Sequence, residues 1–188
     1  MRKLIALVFN HSLNGLLADE GTEFWKLCFD LLDEGGGADH DEQSLDFLEG
    51  AYAHIFGRNA YESISVGLPS NPDHPWTDIM NAGRKVVFSR TLTTADWANS
   101  TIAPGDTTAE VDKLRQGGDG HIIVWGGVSF WRSLMRLDLI DEWHVSMYPY
   151  IAGEGTRLFD DPPNHRLDLV SSTAKSNGIL ELQYRRHR

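Results

Sequence analysis

Cysteine is almost absent: Cys28 stands alone in 188 residues, so the chain can form no internal disulfide and can build no thiolate zinc cluster. It sits among Phe24, Trp25, Leu27, Phe29, Leu31 and Leu32, which reads as a core thiol in a reducing cytoplasm, not a nucleophile. Positive charge is also scarce. Seventeen Lys and Arg against twenty-seven Asp and Glu give a net charge of −10. That argues against nucleic-acid or anionic-membrane binding, both of which need positive surface, but leaves room for a local cationic pocket. No apolar run approaches the roughly 20 residues that span a bilayer. The start, Met1-Arg2-Lys3 followed by Leu4 to Phe9, is basic and then apolar like a short leader. Its apolar part is only about seven residues long, however, and Asn10-His11 stands where a small-residue cleavage site would be. A buried first strand over residues 3–9 is the better reading. With no repeat, low-complexity tract or dividing linker, one domain over residues 1–188 is expected.

The most informative stretch runs from His121 to Arg136. Ile122, Ile123 and Val124 make a short β-branched run that stops at Gly126-Gly127, and Val128, Trp131, Leu134 and Met135 then recur at helical spacing. This predicts a strand, a side-chain-free turn and a helix. The glycines let a ligand approach the backbone, and the first N–H groups of the helix point at it, a phosphate being the usual occupant. By itself the pattern is equally a plain tight connection. Two other strands end alike: Ala51 to Phe56 runs into Gly57-Arg58-Asn59-Ala60, and Lys85 to Phe88 runs into Ser89-Arg90-Thr91-Leu92. If the three are parallel, their loops share the carboxyl edge of one sheet, where open α/β sheets bind ligands. Such an edge suits a nucleotide with several phosphates.

The remaining elements follow from periodicity and turn chemistry. A helix is expected over 22–33 with Thr22 as its cap, then a glycine-rich acidic loop through residue 41, then a helix near 42–50. Asp39, His40 and Asp41 look ligand-like, but adjacent residues of this kind rarely converge on one ion, so a solvated surface is the expectation. A short helix precedes the strand at 85–88, a short strand lies near Thr101, and Thr108 is expected to cap a helix through residue 116. A strand is expected over 139–148. Asn177-Gly178 joins strands near 167–174 and 179–185 as a hairpin. The pattern predicts an α/β fold, a mixed and mainly parallel sheet flanked by helices, ending in an antiparallel hairpin.

Six segments in register give these elements a family likeness: Asn10 to Gly15, Phe56 to Glu62, Lys85 to Leu92, Val124 to Gly127, Leu139 to Glu142 and Pro149 to Phe159. Together they resemble the dihydrofolate reductase-like superfamily, and within it the reductase domain of the riboflavin-biosynthesis deaminase-reductase and its stand-alone relatives. The deaminase half has no counterpart, because its zinc signature needs more than one cysteine. The resemblance implies a dihydrofolate reductase-like sheet with helices on both faces, and NADPH as cofactor. Gly57, Arg58 and Asn59 would approach the pyrophosphate from one side and Gly126, Gly127 and Val128 from the other. Ser89, Arg90 and Thr91 match the segment that holds the 2′-phosphate, a dianion suited to a guanidinium and hydroxyl donors.

On the substrate side the chain departs from the family pattern. The usual Ser-x-Asp-Gly reads Ser12-Leu13-Asn14-Gly15, with Leu16 where the riboflavin reductases carry a lysine. Trp125 replaces the glutamate before Gly-Gly, and Ala60 replaces a phosphate-binding threonine. Dihydrofolate reductases use a carboxylate on the first helix, which makes Asp30 the nearest candidate, although it is equally an ordinary exposed helix residue. His11, Ser12, Asn14, Trp25 and Tyr148 are candidates to bind a small heterocyclic substrate. The resemblance implies a cytoplasmic NADPH-dependent reductase acting on a C=N or C=O group of the ribosylaminopyrimidine of riboflavin synthesis. The alternatives are a pterin-like substrate, or an NADPH-binding protein that has lost catalysis. Leu137, Leu139, Ile140, Trp143, Val145 and Met147 exceed what one covered sheet obviously needs, and the stand-alone relatives are commonly dimers, so a two-fold homodimer around 141–148 is expected.

Overall fold

The structure, a computed structural model, describes residues 1–35 and 42–188. The ligand-like triple Asp39, His40 and Asp41 lies outside these residues. Ten strands form one sheet. They are β1 (Leu4–Ser12), β2 (Leu16–Leu17), β3 (Ala51–Gly57), β4 (Lys85–Phe88), β5 (Ser100–Ala103), β6 (His121–Val124), β7 (Glu142–Tyr148), β8 (Thr156–Arg157), β9 (Leu167–Ala174) and β10 (Leu180–Arg186). The main path is β5-β4-β3-β6-β1-β7-β10-β9, with β2 and β8 attached beside β1. From β5 to β7 every neighbour on this path is parallel, whereas β10 and β9 pair antiparallel.

Six helices pack around the sheet: α1 (Glu23–Gly35), α2 (Glu42–Glu49), α3 (Arg58–Gly67), α4 (Thr77–Ala82), α5 (Thr107–Gln116) and α6 (Val128–Arg136). Strand side chains alternate between faces, and the core divides accordingly. Leu4, Ala6 and Val8 of β1 join Val111 and Leu114 of α5 and Trp131, Leu134 and Met135 of α6. On the other face, Phe56, Val87 and Ile123 meet Leu48 of α2, Tyr61 of α3 and Met80 of α4. The helix α1 lies further along, with Phe24 and Cys28 on Leu16, Tyr148 and Ile179. Burial pushes the Cys28 thiol up to about 12, which keeps it protonated and inert.

Several boundaries differ from the sequence expectation. The strand β1 continues past Phe9 to Ser12, with a register shift against β7 between Val8 and His11 and with Asn10 at φ 57°. The hairpin turn is longer than two residues: Lys175 N–H donates to Ile179 O and Gly178 N–H to Lys175 O, with Gly178 at φ 84°. The cap of α5 is Asp106, not Thr108, its carboxylate accepting from Ala109 N–H at 3.0 Å. Of the apolar run expected at a dimer face, Leu139, Ile140, Trp143 and Val145 are core, buried beneath α5 and α6, whereas Leu137 is exposed and Met147 half-buried. Exposed apolar side chains lie on β9 instead, at Leu167, Leu169 and Val170. No helix among the described residues is long and apolar enough to cross a membrane.

Candidate cofactor and substrate site

Two helices begin side by side at the carboxyl edge of the sheet because the strands before them, β3 and β6, are parallel neighbours. Their junctions are tied by a hydrogen bond from Gly57 N–H to Gly126 O at 2.5 Å, and Trp125 N–H donates to Ile55 O at 2.9 Å. The N-caps of α3 and α6 are Gly57 and Gly127, and neither helix has a side-chain cap or an acidic residue in its first turn. By contrast α1 and α5 are capped by side chains, Thr22 Oγ1 accepting from Trp25 N–H and Asp106 capping α5, while the short α4 also lacks such a cap but carries Asp78 in its first turn. Helix starts leave N–H donors unsatisfied and carry the positive end of the helix dipole. Two such ends side by side, with no side-chain cap and no carboxylate in either first turn, could receive an anion.

Each glycine at this junction has its own role. A Cβ on Gly57 would stand 2.8 Å from Phe130 Cβ, so this glycine lets α6 seat against β3. Gly126 has φ +102°, and a Cβ there would meet the Trp131 indole at 2.8 Å; the Gly126–Gly127 peptide is cis. Gly127 differs, since the nearest atoms to its Cβ direction are Ala60 N at 3.9 Å and Asn59 Cβ at 4.0 Å. That direction points into the space between the two helix starts, where the backbone of α3 can approach a bound anion.

The flank of this site is cationic and hydroxylated. Arg58 is exposed and donates to Thr91 Oγ1 at 3.4 Å, bridging the start of α3 to the loop after β4, with Glu62 at 3.7 Å. Ser89 is buried and its Oγ accepts from the N–H groups of Thr91 and Leu92, a local turn that still leaves its hydroxyl hydrogen free to donate. Arg90 is exposed at the tip of that turn. The residues present therefore fit a dinucleotide bearing an additional phosphate: N–H groups and glycines for the pyrophosphate, and Ser89, Arg90 and Thr91 for the third anion.

A cleft of about 480 Å³ opens between α1, the C-terminal half of α3 and the ends of β1, β7 and β10. Trp25, Phe29, Phe9, Trp76 and Tyr148 supply aromatic walls, and Glu181 is the one carboxylate among the described residues that line it. Trp125 stands behind these walls, stacked on Phe56 and 5.5 Å from Trp76, with its indole N–H donating to His54 Nδ1 at 3.0 Å. Of the residues expected to touch substrate, Trp25 and Tyr148 reach this cleft. Asp30 does not. It lies on the exposed face of α1, about 100° around the helix from the Phe29 stripe.

The other expected substrate residues are engaged within the protein. Ser12 Oγ donates to Asn14 Oδ1 and accepts from Leu16 N–H, both at 2.9 Å. The Asn14 amide clasps the loop after β7, donating to Ala152 O and accepting from Ala152 N–H. His11 is buried edge-on to Phe159, neither ring nitrogen is hydrogen-bonded, and burial holds its pKa below the usual value. Phe29, Ile64, Leu68 and Glu181 were not anticipated. Helical spacing from Trp25 could have suggested Phe29, and the polar Glu181 between Leu180 and Leu182 marks the face of β10 turned from the core.

Comparison with known proteins bears on the family and the fold. The model of the RibD C-terminal domain matches residues 4–180. The chain belongs to that family. The Bacillus subtilis protein YyaP, itself uncharacterized, is 31% identical over 153 residues, covering 78% of this chain and 80% of YyaP. Among solved structures, a putative riboflavin biosynthesis protein from Shewanella sp. PV-4 superposes with TM-score 0.76 at 21% identity, covering 99% of each chain. A dihydrofolate reductase from Enterococcus faecalis complexed with NADP(H) superposes with TM-score 0.57 at 12% identity, over 99% of this chain and 97% of that one. The fold is dihydrofolate reductase-like, a mixed and mainly parallel sheet with a C-terminal antiparallel pair, as the sequence pattern led us to expect.

Proposed function

We propose that this chain is a cytoplasmic NADPH-dependent reductase of a flat nitrogen heterocycle. The observation that carries the reading is the pair of uncapped helix starts at Gly57 and Gly127, with an aromatic cleft lined by the other half of α3. Family membership and the NADP(H) complex of the dihydrofolate reductase neighbour support it. NADPH, when bound, would supply a hydride to a C=N or C=O carbon. The protein's residues bind and orient. Gly57, Arg58, Asn59, Gly126, Gly127 and Val128 surround the pyrophosphate, and Ser89, Arg90 and Thr91 take the 2′-phosphate. Trp25, Phe29 and Tyr148 stack on the substrate ring and keep water from the reacting face, and alignment of the two rings supplies most of the rate.

By family the substrate is the ribosylaminopyrimidine of riboflavin synthesis. Trp125, filling the place of the family glutamate with an indole packed on Phe56, favours a pterin as second reading. Oxidation of NADPH in the presence of ribosylaminopyrimidines and pterins tests the proposal. Turnover with one class identifies the substrate, and binding of NADPH without turnover of any member would contradict the reductase reading in favour of a binding protein. We also propose a two-fold homodimer through β9, an edge strand of the sheet path whose Leu169 and Val170 are exposed. Antiparallel pairing of a free edge with its own copy closes that edge.

A further inference from the structure

We propose that the amino edge of the sheet carries a second anion site, a cationic recess for a small free polyphosphate, formed by Lys3, Arg185 and Arg188. It stands independently of the reductase reading. The parallel strands β1 and β7 begin at this edge, and β10, antiparallel to β7, ends there with Arg185 directly across from Glu142. A recess of about 180 Å³ opens between the three strand ends, walled by Lys3, Arg185, Arg186 and Arg188, with Asp141 and Glu142 beneath them. The proposed cofactor residues at Gly57, Ser89 and Gly126 follow the opposite, carboxyl ends of β3, β4 and β6. Along β7, from Glu142 here to Tyr148 at the cleft, the separation is about 20 Å at roughly 3.3 Å per residue.

Charge marks this recess. Lys3 Nζ and Arg185 Nε both bind Glu142 Oε1, at 2.7 and 2.9 Å; Arg115 and Arg188 both bind Asp141, at 2.7 and 2.9 Å; Arg186 binds Asp138 at 3.0 Å. Five cations thus share three carboxylates. The buried Arg2, bonded to the carbonyls of Leu114 and Asp119, adds a sixth cation with no carboxylate partner among the described residues. Positive groups here outnumber negative ones two to one, in a chain whose net charge is −10. Cations packed together repel, and an anion set among them offsets that repulsion. The carboxylates hold the cations from below: the side chains of Glu142 and Asp141 are 10% and 18% exposed, whereas those of Lys3, Arg185 and Arg188 are 53%, 54% and 48% exposed. Donors are left over. Arg185 spends only Nε and Arg188 only Nη2, and Lys3 spends one of its three ammonium hydrogens. The remaining N–H groups suit phosphate oxygens, which take such forks with charge assistance. Size selects the ligand, because the recess has the volume of about six waters at ~30 Å³ each. A duplex or an anionic membrane would also meet the negative remainder of the surface.

Calorimetric titration with inorganic tripolyphosphate tests the proposal, with Arg90→Ala and Gly127→Val as controls because the proposed cofactor edge also receives phosphates. A saturable site is expected in the unmodified protein and in both controls. Arg185→Gln and Arg188→Gln are each expected to weaken that site about three- to tenfold and to leave NADPH affinity unchanged. The anion should raise the melting temperature of the unmodified protein, and raise it less in these two variants. Two separate substitutions keep the test decisive where one of them fails to fold. No binding of tripolyphosphate, binding that both arginine substitutions leave unaltered, or binding lost in either control would overturn the assignment. A protein that fails to bind NADPH yet holds tripolyphosphate through Arg185 and Arg188 contradicts the reductase reading and leaves this site standing.

Discussion

In the proposed function Arg90 is the residue on which cofactor choice turns. It is exposed beside a turn that Ser89 organises with two backbone hydrogen bonds, so its guanidinium is available to a phosphate without breaking an internal bond. NADPH is expected to bind about ten- to a hundredfold more tightly than NADH, and Arg90→Ala to remove most of that ratio, measured by titration of each cofactor. At the other extreme of exposure, His54 is fully buried, accepts the Trp125 indole N–H and is held down to about 4, chiefly by burial and then by the charges of Lys85 and His121. An unfolded chain protonates this imidazole below its ordinary 6.5, while the folded protein does so only near 4. The stabilisation is therefore complete above about pH 6.5 and is lost progressively as pH falls toward 4. Melting temperature is expected to fall across that window, and to fall less in His54→Gln, which retains an acceptor for the indole.

At the scale of elements, glycines and caps were the legible part of the sequence, and long-range register was not. The Gly-Gly after Val124 and the Gly-Arg after Phe56 announce backbone that needs no neighbour to interpret it, so the strand–turn–helix units at β3–α3 and β6–α6 fall where expected. The cap of α5 moved by two residues because Asp106 and Thr108 are both competent caps, and only the folded geometry decides between them. Asp30 was placed by analogy to a helix position, but the rotation of α1 depends on how Phe24 and Cys28 dock, and that docking turns Trp25 and Phe29 to the cleft. Glu181 was invisible because its neighbour Ser146 lies 35 residues away in sequence and meets it only through strand pairing. The contrast between capped and uncapped helices is itself testable. Asp106→Ala is expected to lower stability by about 1 kcal/mol in denaturant unfolding and to leave NADPH binding unchanged.

For the molecule as a whole, helices cover the middle of the sheet, whereas β9 at its end is exposed along nearly its whole length. The residues Leu139, Ile140, Trp143 and Val145, which sequence alone offered as an interface, are consumed by α5 and α6 packing on that face; periodicity shows that a strand is apolar, but not which helix covers it. In the proposed dimer the exposed apolar residues of β9 take that role. Light scattering at micromolar concentration is expected to give about twice the chain mass of 21.1 kDa, and Leu169→Lys to shift the protein to the monomer. A monomer before substitution contradicts the pairing.

In the proposed function the uncapped starts of α3 and α6 hold the dinucleotide, and Gly127 isolates that role. A Cβ there has no atom within 3.8 Å but enters the space between the helices, whereas at Gly126 it would strike Trp131. Calorimetric titration of NADPH into the unmodified protein and Gly127→Val, with melting temperature measured for both, is the most direct test. Saturable binding to the first, loss of binding in the second and closely similar melting are expected. Unaltered NADPH affinity in Gly127→Val would contradict a dinucleotide site between these helices.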